Sequence, residues 1–135
     1  MYCVKKVKED LFWVGGTDRR LALFENAYPI PRGVSYNAYV LLDEKTVLFD
    51  TVDWAVAGQL YENLAKVLGD RPLDYIVVDH MEPDHAASLQ VLAEKYPEAQ
   101  VVGNVKTFNM IPQFFTFDLE GRKVVVKEGD TLSLG

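Results

Sequence analysis

Histidine and cysteine are scarce in this chain of 135 residues, which has two of the former and one of the latter. With Cys3 alone, an internal disulfide is excluded, in keeping with a reducing compartment. Charged or polar residues interrupt every apolar run before it could cross a bilayer, and Lys5, Lys6 and Lys8 precede no apolar signal core. The expected location is the cytoplasm, with no membrane partner. Basic runs are missing as well: 14 Lys and Arg stand against 20 Asp and Glu, a net charge of -6, which argues against nucleic-acid partners. Gly15-Gly16 lacks the later glycine and the following helix of a nucleotide-binding fingerprint. Nor is there an internal repeat, a low-complexity segment or a linker rich in Gly or Ser.

What remains is an ordinary globular composition, 49% hydrophobic and 25% charged, with enough chain for one domain over residues 1–135. Apolar residues 11–14 running into Gly15-Gly16 predict a strand entering a tight turn, with residues 21–24 as its hairpin partner. Pro29, Pro31 and Gly33 mark residues 26–33 as a loop. Residues 34–42 and 46–50, joined by a turn at Asp43-Glu44-Lys45, complete an antiparallel meander. Asp53 then caps a helix whose Val56, Leu60, Leu64, Val67 and Leu68 recur at helical spacing, and Gly69 ends it.

From there helices and strands alternate. Strands are expected at 73–78, 100–102 and 123–126, with helices at 86–96 and 105–115 between them, the second capped by Asn104 and disturbed late by Pro112. A turn and a further strand are expected over 129–135. This order predicts an α/β fold, a mixed sheet with covering helices. Trp13, Tyr36, Tyr39 and Phe24 are expected in sheet and core packing, Trp54 in the core or an interface, and Phe108, Phe114, Phe115 and Phe117 in the interior or against the half that the chain lacks.

Both histidines fall in one short stretch, Asp79-His80-Met81-Glu82-Pro83-Asp84-His85, just after the apolar run at 75–78. That is the carboxyl end of an expected buried strand, where open α/β sheets put their chemistry. His80, Glu82 and Asp84 alternate by two and His85 adjoins the last, so a turning segment can direct them toward one cavity. Imidazole with carboxylate suits iron, zinc or manganese. A structural alternative exists: Asp84 as the N-cap of a following helix, and Glu82 as acidic company for its positive end.

The stretch His80-Met81-Glu82-Pro83-Asp84-His85 resembles the H-x-E-x-D-H motif of flavodiiron proteins, in whose metallo-β-lactamase-like domain a glutamate replaces the middle histidine of the zinc hydrolases. Leu11-Phe12-Trp13-Val14-Gly15, Pro31-Arg32-Gly33, Ser35-Tyr36-Asn37-Ala38-Tyr39 and Phe49-Asp50-Thr51-Val52 are similar to segments of that family's N-terminal strands. The resemblance runs over essentially the whole chain. It implies that His80 and Glu82 bind one iron and that Asp84 and His85 bind the other. It also implies reduction of dioxygen to water, or of nitric oxide to nitrous oxide, with electrons from FMN on a flavodoxin-like domain fed by a rubredoxin-type donor. Asp79 becomes a candidate acceptor for a ligand imidazole proton.

The same resemblance implies further ligands, two histidines and a bridging aspartate, and no histidine follows His85. The chain is therefore expected to be the N-terminal half of a metallo-β-lactamase-like αββα sandwich, with an incomplete di-iron site, without the flavodoxin-like domain, and incompetent alone. FMN would come from a partner chain or domain. An exposed apolar sheet face would draw a second copy or a complementing polypeptide. Two other readings stand beside this one: a non-catalytic metal-binding or interaction module that keeps the fold, and a zinc hydrolase, against which Glu82 argues.

Overall fold

A computed structural model describes residues 3–19, 23–24, 28–29 and 32–135, with the side chains of Leu23, Phe24, Tyr28, Pro83 and Asp84 outside the description. In chain order the strands before the first helix are β1 (Lys5–Lys6), β2 (Leu11–Trp13), β3 (Gly16–Asp18), β4 (Leu23–Phe24), β5 (Tyr28–Pro29), β6 (Val34–Tyr36), β7 (Tyr39–Leu42) and β8 (Thr46–Phe49). A single 3-10 turn, Trp54–Val56, leads into α1 (Ala57–Leu68). Then come β9 (Tyr75–Val77), α2 (Pro83–Ala86), α3 (Leu89–Lys95), β10 (Gln100–Gly103), α4 (Val105–Phe114) and β11 (Lys123–Val125).

Seven strands form one sheet in the order β1-β2-β7-β8-β9-β10-β11. The first four pair antiparallel, and β8, β9, β10 and β11 run parallel. Connection length explains the change: the turn at 43–45 suffices to reverse the chain between β7 and β8, whereas each later strand is reached through a helical crossover. Register aligns Phe12, Val40, Leu48, Ile76 and Val101 across five strands on one face. The last four are fully buried against Leu60 and Leu64 of α1, Leu89 and Leu92 of α3, and Phe108 and Ile111 of α4.

The opposite face carries no helix among the described residues. Trp13, Tyr39, Phe49, Val77, Val102 and Val124 make one row across it, and Leu11, Leu41, Val47 and Tyr75 another. Residues 130–134 lie over part of this face, where Leu132 and Leu134 enclose a cavity of about 250 Å³ with Val47, Phe49, Val77 and Val102. The Lys45 N–H donates to the Leu134 carbonyl at 2.9 Å, fastening that segment. The strand expected over 129–135 is absent: that bond ties the segment to the turn between β7 and β8, and no ladder forms.

Several local expectations change. Gly15-Gly16 is not a tight turn but a close approach. A Cβ on Gly15 would stand 2.0 Å from the Tyr36 carbonyl oxygen, and one on Gly16 would stand 2.8 Å from Val56 Cβ. The chain continues as β3, pairing with β6, so the expected single strand over 34–42 is two strands broken at Asn37-Ala38. There the Val14 N–H reaches the Ala38 carbonyl at 2.9 Å, and Trp13 Nε1 donates to Asn37 Oδ1 at 2.9 Å. β4 pairs with β5 and not with β2, while Leu21, Ala22, Asn26 and Pro31 lie outside the described residues. Asp53 does cap, its carboxylate accepting from the Ala55 N–H, and Asn104 does the same for the Thr107 N–H. Pro112 sits inside α4, which ends two residues later at Phe114. Tyr36 and Phe108 are buried, Phe115 and Phe117 pack on the core, and Trp54 and Phe114 are exposed, which rules out the core alternative for those two.

Candidate metal centre

The site grows from the carboxyl ends of two neighbouring parallel strands. Pairing runs one step beyond the regular spans, β8 onto β9 through the Asp50 N–H on the Val77 carbonyl and β9 onto β10 through the Val78 N–H on the Val102 carbonyl. Asp50 then takes a left-handed backbone, φ 62°. This conformation is strained for most residues but tolerated by aspartate, and it swings the chain over toward the Asp53 cap. Next door, residues 79–82 leave β9, and Pro83 opens α2. A proline at a first helical position gives up an N–H that would have had no partner. The carbonyl of Glu82 accepts from the N–H groups of His85 and Ala86 at 2.9 and 3.0 Å.

Asp84 therefore lies within α2 and does not cap a helix beginning at Ala86, as the alternative structural reading required. Its side chain is outside the description.

Within this loop His80 and Glu82 are about half exposed, and Nε2 of the former meets Oε1 of the latter at 2.9 Å. The rings of His80 and His85 stand edge to face with centroids 5.5 Å apart. His85 is more enclosed. Its Nδ1 meets Oδ2 of the buried Asp50 at 2.9 Å, and Oδ1 of the same carboxylate accepts the Asp79 N–H at 2.8 Å. Burial pushes the Asp50 carboxyl up to about 6, with the charge of Asp79 adding to the rise and the hydrogen bonds from the Asp79 N–H and His85 opposing it. With the carboxylate ionised, this contact puts the proton on Nδ1 of His85 and leaves Nε2 as the nitrogen that would ligate a metal.

Asp50 is thus the imidazole's acceptor, in place of Asp79, whose part here is its backbone N–H. The sequence carries one signal for this: an acid at the end of the strand expected beside the motif, 35 residues upstream of His85. A cavity of about 340 Å³ adjoins the loop on one side, lined by Asp79, His80 and Glu82 with Asn104, Lys106 and Thr107. On its other side Met81, Ala86 and Ala87 back onto a smaller hollow of about 190 Å³ between Trp54 and Phe114.

Two imidazoles and a carboxylate on one rigidly anchored loop are donors that borderline metals accept, and the loop's chemistry fits iron. Among the described residues, however, no three His, Cys, Asp or Glu side chains gather around one point.

The profile of the metallo-beta-lactamase superfamily matches residues 31–134, and the chain belongs to that superfamily. Its relatives within it are flavodiiron proteins. The nitric oxide reductase of Moorella thermoacetica is 32% identical over 130 residues, covering 96% of this chain and 32% of the relative. The anaerobic nitric oxide reductase flavorubredoxin of Klebsiella pneumoniae is 36% identical over the same length, covering 27% of its own. The flavodiiron protein from Giardia intestinalis superposes with a TM-score of 0.87 at 27% identity, over 98% of this chain and 32% of that one. Rubredoxin oxygen:oxidoreductase from Desulfovibrio gigas does so with 0.86 at 33%, over 98% and 33%. The chain spans about a third of the length of the curated relatives it matches. Its mixed sheet with covering helices is the metallo-β-lactamase-like arrangement, as expected. No helix among the described residues is long and apolar enough to cross a membrane.

Proposed function

We propose that these residues carry the primary metal loop of a flavodiiron-type oxidoreductase, one that reduces dioxygen to water or nitric oxide to nitrous oxide. The observation that carries this reading is the loop of residues 79–85. It presents His80, Glu82 and His85 from the end of a parallel strand, with the last held by Asp50 so that Nε2 is the ligating nitrogen. In this reading His80 and Glu82 serve one iron, and Asp84 and His85 the other. A pair of irons would supply two adjacent sites for holding and reducing a diatomic molecule. The chain's own contribution is to fix ligand direction: Asp50 orients an imidazole, and Pro83 turns the backbone into α2 directly after Glu82. FMN and a rubredoxin-type donor would deliver electrons from outside these 135 residues.

The relatives' greater length and the scarcity of histidine support a second element of the proposal. Residues 1–135 correspond to one half of an αββα sandwich, and this half alone is not competent. The helix-free face, with its two apolar rows, is where a second layer would pack, supplied by a complementing polypeptide or by a second copy of the chain. The lack of three converging donors among the described residues also favours a rival, a non-catalytic module that keeps the fold and weak metal affinity. A zinc hydrolase is disfavoured by Glu82.

Anaerobic titration of the purified chain with ferrous iron, followed by desalting and metal analysis, separates these readings. The expected result is weak, substoichiometric iron that depends on His80 and Glu82. A tightly held pair of irons in the 135 residues alone would overturn the claim of an incomplete site, and iron uptake indifferent to Glu82→His would favour the non-catalytic module.

A further inference from the structure

Thr51 is fully buried and follows Asp50 with its left-handed backbone. Its backbone N–H and its hydroxyl both reach the carbonyl oxygen of His85, at 2.7 and 2.9 Å. The same hydroxyl oxygen accepts the Ser88 N–H at 3.4 Å, and the Ser88 hydroxyl donates to the Val52 carbonyl at 3.3 Å. These contacts sit at Ala87-Ser88, between α2 and α3; the helix expected over 86–96 begins only at Leu89, and α2 precedes it as a separate turn. In an unbroken helix the His85 carbonyl would accept the N–H of Leu89, four residues on. Here the Thr51 N–H and hydroxyl occupy it instead. The bond from the hydroxyl is part-buried, and without it the Thr51 N–H alone would hold the carbonyl against helix continuation, the replacement nearest to hand.

We propose that Thr51 is a positioning residue for the metal loop: by holding the His85 carbonyl it interrupts the helix after one turn and keeps the His85 ring on Asp50. Asp50 and Thr51 then act as a two-residue clamp on both ends of the loop, through Asp79 at its start and His85 at its close. Continuation of the helix through residues 87–88 would rotate His85 about the helix axis, and its ring would leave the carboxylate. The inference rests on the metal-loop reading only for its consequence, metal affinity. The ring's placement is a property of the metal-free chain.

The test uses the full chain with three substitutions, Thr51→Val, which keeps shape and loses the hydroxyl, Thr51→Ser, which keeps the hydroxyl, and Glu82→Ala. Imidazole ¹⁵N spectra of the metal-free proteins at pH 8 read the His85 tautomer. The native chain and Thr51→Ser should hold a single Nδ1–H form, and Thr51→Val should average the two. Cobalt(II) titration should then find roughly tenfold weaker binding in Thr51→Val and recovery in Thr51→Ser, in the range seen when supports of ligand histidines are removed. An unchanged tautomer in Thr51→Val overturns the inference. So does a tautomer that averages in Thr51→Ser as much as in Thr51→Val. If Thr51→Val does not fold, Thr51→Ala, which cannot clash, carries the same expectations. Cobalt binding by the native chain no better than by Glu82→Ala would count against the metal-loop reading while leaving the tautomer result to judge Thr51.

Discussion

Asn63 illustrates how much one buried polar side chain can organise. It is fully buried on α1, its amide nitrogen donating to the carbonyls of Val14 and Gly15 at 3.0 and 3.1 Å. Its oxygen accepts the Cys3 N–H and Gln59 Nε2. The helix is thereby fastened to the bend between β2 and β3. Asn63→Leu leaves these backbone groups buried and unpaired, so urea unfolding should find the variant less stable by at least about 2 kcal/mol. Helical spacing made the apolar neighbours of Asn63 legible, because they repeat every three or four residues. It gave no sign of Asn63, whose partners are 48 and 49 residues away. Asp50 escaped for the same reason. The motif's histidines were legible because they are contiguous, and their acceptor lies on another strand.

Helices and strands answer to two kinds of glycine. Gly58 is exposed in the first turn of α1 with nothing within 4 Å of an added Cβ. Gly58→Ala should therefore stabilise by about 0.5 kcal/mol through lost unfolded-chain freedom. Gly15→Ala drives its Cβ into the Tyr36 carbonyl, a backbone atom that cannot swing aside, and should cost about 2–3 kcal/mol or more. Thermal unfolding of the two variants, which should move in opposite directions, checks both. Gly-Gly in the sequence signals only backbone permissiveness, and whether that permits a turn or a close crossing depends on a neighbouring strand. Likewise the break between α2 and α3 has no signal within 86–96, because the groups that cause it belong to Thr51. By contrast the caps at Asp53 and Asn104 were legible, since a cap and its target N–H are at most three residues apart.

The two faces of the seven-stranded sheet set the behaviour of the complete chain. One is sealed by α1, α3 and α4, and the other shows Leu11, Leu41, Tyr75, Trp13 and Tyr39 half-buried beside the short segment at 130–134. If the proposed second layer is what this face is shaped for, the isolated chain should self-associate at micromolar concentration, as measured by light scattering after gel filtration. Leu41→Glu, which puts charge in the middle of the face, should return it to monomer with the helical circular dichroism intact. A native chain that stays monomeric at high concentration would count against the proposed covering layer.

From composition, periodicity and motif alone follow the α/β class, the antiparallel opening and the alternation of helices and strands after it, the apolar stripe of α1 and the candidate ligands His80, Glu82, Asp84 and His85. All of these rest on residues near one another in the chain, or on repeats that a strand or helix imposes. The division of labour around the loop comes from elsewhere. Asp50 and not Asp79 holds the imidazole, Thr51 ends the helix, and Gly15 admits a carbonyl. Each depends on which strand end lies beside which loop, and hydrogen bonds between segments far apart in the chain form only once the sheet has brought those segments together.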